Sequence, residues 1–235
     1  MSLGWGLRGF IGGGPLGAMI PGAMVGLLLC YLLRLDQKTS AFVAAFGAIG
    51  VGLGGQMTYG QTIGFIIHPE TFFWGFLGLS VKGAVWGLLG GAVLGLGFIH
   101  RQMSRKVLVA GLLLLIVGTL IGWKLINEPK LIYFSNLHDR PRAEIWAGLL
   151  FGAIFLLAYL GFVGQAKIPL HFALWGTLGG AIPPQNVFRE EHRRQTRNAV
   201  GCPFFDGEGY VLRPEGFGTE NSGIRFYCSL KKVFS

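Results

Sequence analysis

Gly83, Gly87, Gly91 and Gly95 recur at every fourth residue of an apolar run, directly after Lys82. That spacing decides the solvent. In water, each glycine inside a helix costs roughly 0.5–1 kcal/mol relative to alanine. In lipid, the same spacing makes a flat stripe along which a second helix packs closely. Gly13/Gly17, Gly22/Gly26, Gly50/Gly54, Gly60/Gly64, Gly118/Gly122, Gly148/Gly152 and Gly176/Gly180 repeat it. The pattern predicts an all-α, polytopic helical membrane protein held together by close helix contacts.

Composition supports that expectation. The chain is 51% hydrophobic and 13% charged, where soluble domains carry about 25% charge. The net charge of +9 does not read as nucleic-acid binding. The cations flank apolar runs or crowd the C-terminal stretch, where membrane orientation and anionic headgroups select them. Cys30, Cys202 and Cys228 make no disulfide framework. The opening residues lack a compact basic segment, so the first span is expected to act as its own insertion signal.

Six apolar stretches emerge, giving an expectation of five or six glycine-rich transmembrane helices within residues 1–183. They are Phe10–Leu33, Ala41–Gly60, Thr71–Phe98, Val107–Trp123, Ile145–Gly164 and Pro169–Ile182. The third is too long for one upright span, since 28 residues at 1.5 Å make about 42 Å. A break near Ser80–Lys82 would put the cation at a helix boundary, and that is the expectation. The sixth is short for a bilayer core of about 30 Å. Trp86-Gly-Leu-Leu-Gly-Gly-Ala92 returns as Trp175-Gly-Thr-Leu-Gly-Gly-Ala181, and paired glycine-interrupted segments point toward transporter architecture. After Pro183-Pro184 the composition turns polar and basic. Residues 184–235 are expected to form a mostly irregular tail with at most a hairpin.

Chemistry concentrates at three places. Gln56, Tyr59 and Gln61, with His68 and Glu70 beyond, are framed by glycines and suit a cavity lining. Lys82, inside an apolar run, is a functional-site candidate with Glu70 as the nearest carboxylate in sequence. The stretch Tyr133–Trp146 gathers His138, Asp139, Arg140, Arg142 and Glu144. Its two arginines can clamp an anion, while Asp139 or Glu144 would suit the N-terminus of the fifth helix. No H-E-x-x-H, C-x-x-C or G-x-S-x-G motif occurs, so no metal, cofactor or covalent nucleophile is expected.

Gly17-Ala-Met-Ile-Pro-Gly-Ala23, Gly55-Gln-Met-Thr-Tyr-Gly-Gln61 and Asp139-Arg-Pro-Arg-Ala-Glu-Ile-Trp146 together resemble a group of uncharacterised bacterial multi-pass membrane proteins. The resemblance covers about residues 3–182 and excludes the tail. It implies a bacterial inner-membrane location and carries no activity. The functional expectation is passage of a small polar or anionic solute. Gln56, Tyr59, Gln61 and Lys82 would line the path, and Arg140 and Arg142 would form an anion-collecting rim. Two alternatives stand beside it. One is a non-catalytic subunit whose glycine faces bind partner helices or a second copy. The other is a membrane enzyme for a phosphorylated or lipid-linked substrate.

Overall fold

The computed structural model describes residues 14–57, 59–66, 70–135 and 142–182. The expected tail, 184–235, lies outside them. Among the described residues all regular structure is helical. The helices are α1 (Pro15–Leu32), α2 (Gln37–Gly54), a short α3 (Gly60–Phe65), α4 (Phe72–Ile99), α5 (Arg105–Gly122), α6 (Trp146–Phe162) and α7 (Lys167–Ala181). A π-helical turn, Trp123–Asn127, extends α5.

Local chemistry sets several helix starts. Pro15 occupies the first turn of α1, where its missing N–H is not needed. Asp36 caps α2 by accepting from the Thr39 amide at 3.2 Å. Ser104 caps α5 in the same way from Val107 at 3.3 Å. Each satisfies one of the donors that a helix N-terminus leaves unpaired.

Glycine contacts then set the pairing. A Cβ added at Gly26 would lie 2.9 Å from the Val43 carbonyl oxygen, and Gly22 faces Gly47, so α1 and α2 run antiparallel. On the other side of α2, Gly50 lies against Val93 and Gly90 of α4, and Gly97 of α4 against Val43. Gly118 and Gly122 of α5 meet the carbonyls of Phe151 and Ala147 on α6. Leu89 and Leu96 of α4 share one buried cluster with Leu156 and Leu160 of α6, which joins this hairpin to the rest. Close backbone approach of this kind stabilises helices where no water is available to be expelled.

Three helices among the described residues are long and apolar enough to cross a membrane: Pro15–Leu32, Phe72–Ile99 and Arg105–Asn127. The 17-residue α6 is apolar but shorter. Leu113, Ile116, Val117 and Leu120 stand exposed along the outer side of α5, as do Leu27, Leu28 and Leu32 on α1. Apolar helices with apolar outer faces suggest a membrane protein.

One expectation is corrected here. α4 runs unbroken for 28 residues, through Ser80 and Lys82, so Lys82 is not at a helix boundary. The reason is a partner for Lys82 that makes an escape to an interface unnecessary.

The loops after α1 and α4 are tied by an ion pair, Arg101 Nη2 to Asp36 Oδ2 at 2.9 Å. Hydrogen bonds from the Thr39 hydroxyl and amide, with the charge of Arg101, hold Asp36 down at about 2 against an ordinary 3.8. A depressed carboxylate pKa adds stability that is present above the unfolded value and is lost as pH falls through the folded one. Heat resistance is therefore expected to fall between pH 4 and 2, with a smaller fall in Asp36→Asn. Equal profiles for the two proteins would show that the cap contributes nothing.

Candidate functional site

Lys82 is the largest fully buried side chain of the described residues. It sits ten residues into α4 and 17 from its far end, about 15 Å and about 26 Å along the axis. Its Nζ donates to Glu144 Oε1 at 2.7 Å and to Thr62 Oγ1 at 2.8 Å. Both charged side chains are 1% exposed. Lone burial of either would cost several kcal/mol, so the surrounding polar atoms matter.

Those atoms form a closed ring. Thr62 Oγ1 on α3 accepts from the Lys82 ammonium and donates to the Phe134 carbonyl at 3.0 Å. The Phe134 amide donates to Glu144 Oε2 at 3.0 Å, and Ser135 Oγ to Glu144 Oε1 at 2.8 Å. The ammonium also lies 5.9 Å from the centre of the Phe134 ring. Three segments distant in sequence thus meet at one buried pair: α3, α4 and the stretch leading into α6. Beside it, burial first and the charge of Glu144 after it push the Tyr133 phenol above its ordinary pKa. The phenol therefore keeps its proton and donates to the Arg142 carbonyl at 2.7 Å.

Helix ends gather at the same level. α2 ends at Gly54, which lies against the Trp86 ring, one turn along α4 from Lys82. The Trp86 indole donates to the Val51 carbonyl at 2.8 Å. α7 ends with Gly180 against Gly83. α6 begins at Trp146, two residues after Glu144. The C-terminal ends of α2 and α7 bear partial negative charge, and the N-terminal end of α6 partial positive charge. These signs suit Lys82 and Glu144 respectively.

The residues singled out from sequence are distributed as follows. Lys82 is at the centre. Tyr59 is half-buried, its ring 5.3 Å from that of Trp86. Gln61 is half-buried on α3 beside Thr62, while Gln56 and Arg142 are exposed. His68, His138, Asp139 and Arg140 lie outside the described residues. Glu70, the nearest carboxylate in sequence, is exposed ahead of α4. The carboxylate at Lys82 is that of Glu144, 62 residues away. Sequence reasoning had placed Glu144 only as a helix-end charge. In the structure Ile145 is the N-cap of α6 and no side chain caps it. Thr62 and Ser135 were not anticipated, because a lone hydroxyl carries no sequence signal. Gly83, Gly87, Gly91 and Gly95 lie against Gly180, Gly176, Phe172 and Pro169 of α7.

Comparison with family models, curated proteins and solved structures gives no match. The fold and site define a class: a protein all-helical over its described residues, with helices suited to a membrane and a buried lysine–glutamate pair.

Proposed function

We propose that the chain is a multi-pass membrane permease for a small polar or anionic solute. The observation that carries this reading is the buried Lys82–Glu144 pair, where three segments meet and α2, α7 and α6 have their termini. Ionisable groups at membrane depth commonly mark solute paths. Discontinuous helices whose ends converge on one point are a recurring way to build such paths. On this reading α1, α2, α4, α5 and α6 span, and the 15-residue α7 fills a partial sixth position.

The pair acts as the closed state of the path. Lys82 is held by a rigid helix, whereas Glu144 stands on non-helical chain ahead of α6. A carboxylate or phosphate that reaches Lys82 replaces Glu144 as its counter-ion and frees that chain. Exchange of one anion for another avoids leaving the ammonium unpaired, the costly step in a low-dielectric interior. Exposed Arg142, two residues from Glu144, would draw anions toward the entrance.

The partner-helix alternative has weaker support, since the Gly83–Gly95 stripe is occupied by α7 of the same chain. Charge indicates orientation. Arg34, Lys38, Arg101, Arg105, Lys106 and Lys167 are exposed at the end where α1, α4 and α6 finish. The positive-inside rule makes that end cytoplasmic.

The test is uptake of acetate, succinate and phosphate by vesicles containing the purified protein. Wild type is expected to take up at least one of them. The variant Lys82→Met with Glu144→Gln is expected to insert normally and to lose at least tenfold in rate. Uptake that survives this change, or absent uptake of every probe by wild type, overturns the permease reading.

A further inference from the structure

The first turn of α6 is served from another segment. Its N-cap, Ile145, offers no side-chain bond. Asn127, the last residue of the π-helical turn after α5, supplies one instead: its Oδ1 accepts from the Gly148 amide at 3.0 Å. That bond fixes which end of the Asn127 amide is oxygen, and it leaves Nδ2 at the same helix terminus. Asn127 is 5% exposed. Its Nδ2 is buried and meets no acceptor among the described residues.

Trp146 opens α6, two residues after Glu144. It is 6% exposed. Its Nε1 is a second buried donor without an acceptor among the described residues. The Trp86 indole, by contrast, donates to the Val51 carbonyl. Burying a donor without an acceptor is costly, and here two stand at one helix end.

Sign narrows the cause. Both groups are donors. A helix N-terminus carries partial positive charge and leaves amides of its first turn unpaired. A water placed there would bring two hydrogens of its own, while Asn127 Oδ1 is already engaged by Gly148. An anionic oxygen accepts from several donors and has nothing to donate. Helix N-termini hold anions in this way, and half-helices of transporters aim theirs at anionic solutes.

Position ties these donors to the buried pair. The Trp146 and Phe134 ring centres are 5.5 Å apart, and the Lys82 ammonium lies 5.9 Å from the centre of the same Phe134 ring. The Phe134 amide bonds Glu144. Both donors are sealed from water while Glu144 stays on Lys82. Displacement of Glu144 moves the chain that leads into Trp146, and opens the start of α6 toward whatever has replaced the carboxylate.

We propose that Trp146 Nε1 and Asn127 Nδ2 are donors to the solute, binding oxygens of the carboxylate or phosphate that Lys82 holds once Glu144 has left. The solute is taken from the permease reading, on which this inference rests. Binding itself can be measured without transport.

The experiment begins with the wild-type full chain, its indole nitrogens isotope-labelled, in a phosphate-free maltoside detergent. Succinate and inorganic phosphate are added in turn. The Trp146 indole proton resonance is assigned from Trp146→Phe or, by elimination, from the other tryptophan variants. It is expected to move downfield with at least one of the two anions. In vesicles, Trp146→Phe and Asn127→Asp are each expected to raise KM roughly tenfold or more, the worth of one hydrogen bond to a charged group, with a smaller effect on kcat. Asn127→Asp keeps the acceptor for Gly148 and turns the donor into an acceptor, so a merely structural Asn127 would leave KM unchanged. Trp123→Phe, at a half-buried indole of the π-helical turn, should keep the wild-type KM. A Trp146 resonance that stays still at saturating succinate and phosphate overturns the proposal. So do two folded variants with the wild-type KM, or a resonance that moves only with added phosphatidylglycerol, which would assign the donors to a lipid headgroup. A shift with succinate or phosphate, but without uptake by wild type, supports these donors and overturns only the permease reading.

Discussion

Glu144→Gln alone is expected to remove most of the folded protein, whereas Lys82→Met combined with Glu144→Gln is expected to restore it. The single change leaves an ammonium 1% exposed without the Glu144 carboxylate that now stands 2.7 Å from it. Breaking a buried ion pair from one side typically costs about 3–5 kcal/mol, a large part of a folded protein's total stability. The double change removes both charges. An amide oxygen in the place of Oε2 can still accept from the Phe134 amide, the NH2 in the place of Oε1 can donate to the Ser135 hydroxyl, which now donates to that oxygen and can turn to accept, and Met fills the lysine stem's volume. Replacing both charges of a buried pair is often neutral or stabilising by about 1–4 kcal/mol. The measurement is the fraction surviving a heat step as a single size-exclusion peak, for wild type, both single variants and the double variant. The cycle isolates the coupling of the two groups. Two mild single effects that simply add would show that the pair does not bind these segments together. A stable double variant without uptake would separate transport from folding.

The helical character of the chain was readable because it depends on local order. Apolar runs and the four-residue glycine spacing are both short-range signals. The site was readable only in part, because it is a contact across 62 residues. Lys82 announces that a cation in an apolar run must find a partner, but nothing in the run says where. Glu70 stood nearest in sequence, and nearness along a chain says little about nearness between helices. Glu144 was disguised by its setting: a carboxylate just before a helix start has a sufficient local explanation in the helix dipole. The break expected in α4 followed from a stretch too long for one upright span and from placing Lys82 at a boundary, since a lone cation inside costs about 2.5–3.5 kcal/mol on insertion scales. With Glu144 and Thr62 supplied by other segments, that cost no longer bears on the backbone. The glycine stripe is a different case. Its period shows which face of α4 a neighbour can approach, but α7 emerges as that neighbour only in three dimensions.

Gly87→Leu is expected to be among the most damaging single changes in the described helices, and Gly87→Ala to be harmful despite alanine's better helix propensity. A Cβ at this position would overlap the Gly176 carbonyl oxygen. That atom belongs to the backbone of α7 and cannot rotate aside as a flexible side chain would. The helices must separate, and the contacts on either side, Gly83 with Gly180 and Gly91 with Phe172, loosen with them. Overpacking typically costs about 1–3 kcal/mol, against a propensity gain of roughly 0.5–1 kcal/mol from removing a helix-interior glycine. The alanine variant should therefore show a net loss and the leucine variant a larger one. Gly161→Ala on α6 is the control: its Cβ would meet only Leu170 Cδ1 at 3.9 Å, an ordinary contact, and stability should hold or rise slightly. Heat survival of the three variants in detergent checks the order. If Gly87→Ala tolerated heat as well as Gly161→Ala, close packing of α4 on α7 would not be what holds α7 in place. If the order holds, separation of α7 should also disturb the buried pair, because Gly83 is the chain neighbour of Lys82 and lies against the last turn of α7. Loss of solute uptake in Gly87→Ala at a temperature where the protein is still folded would connect the glycine stripe to the Lys82–Glu144 site.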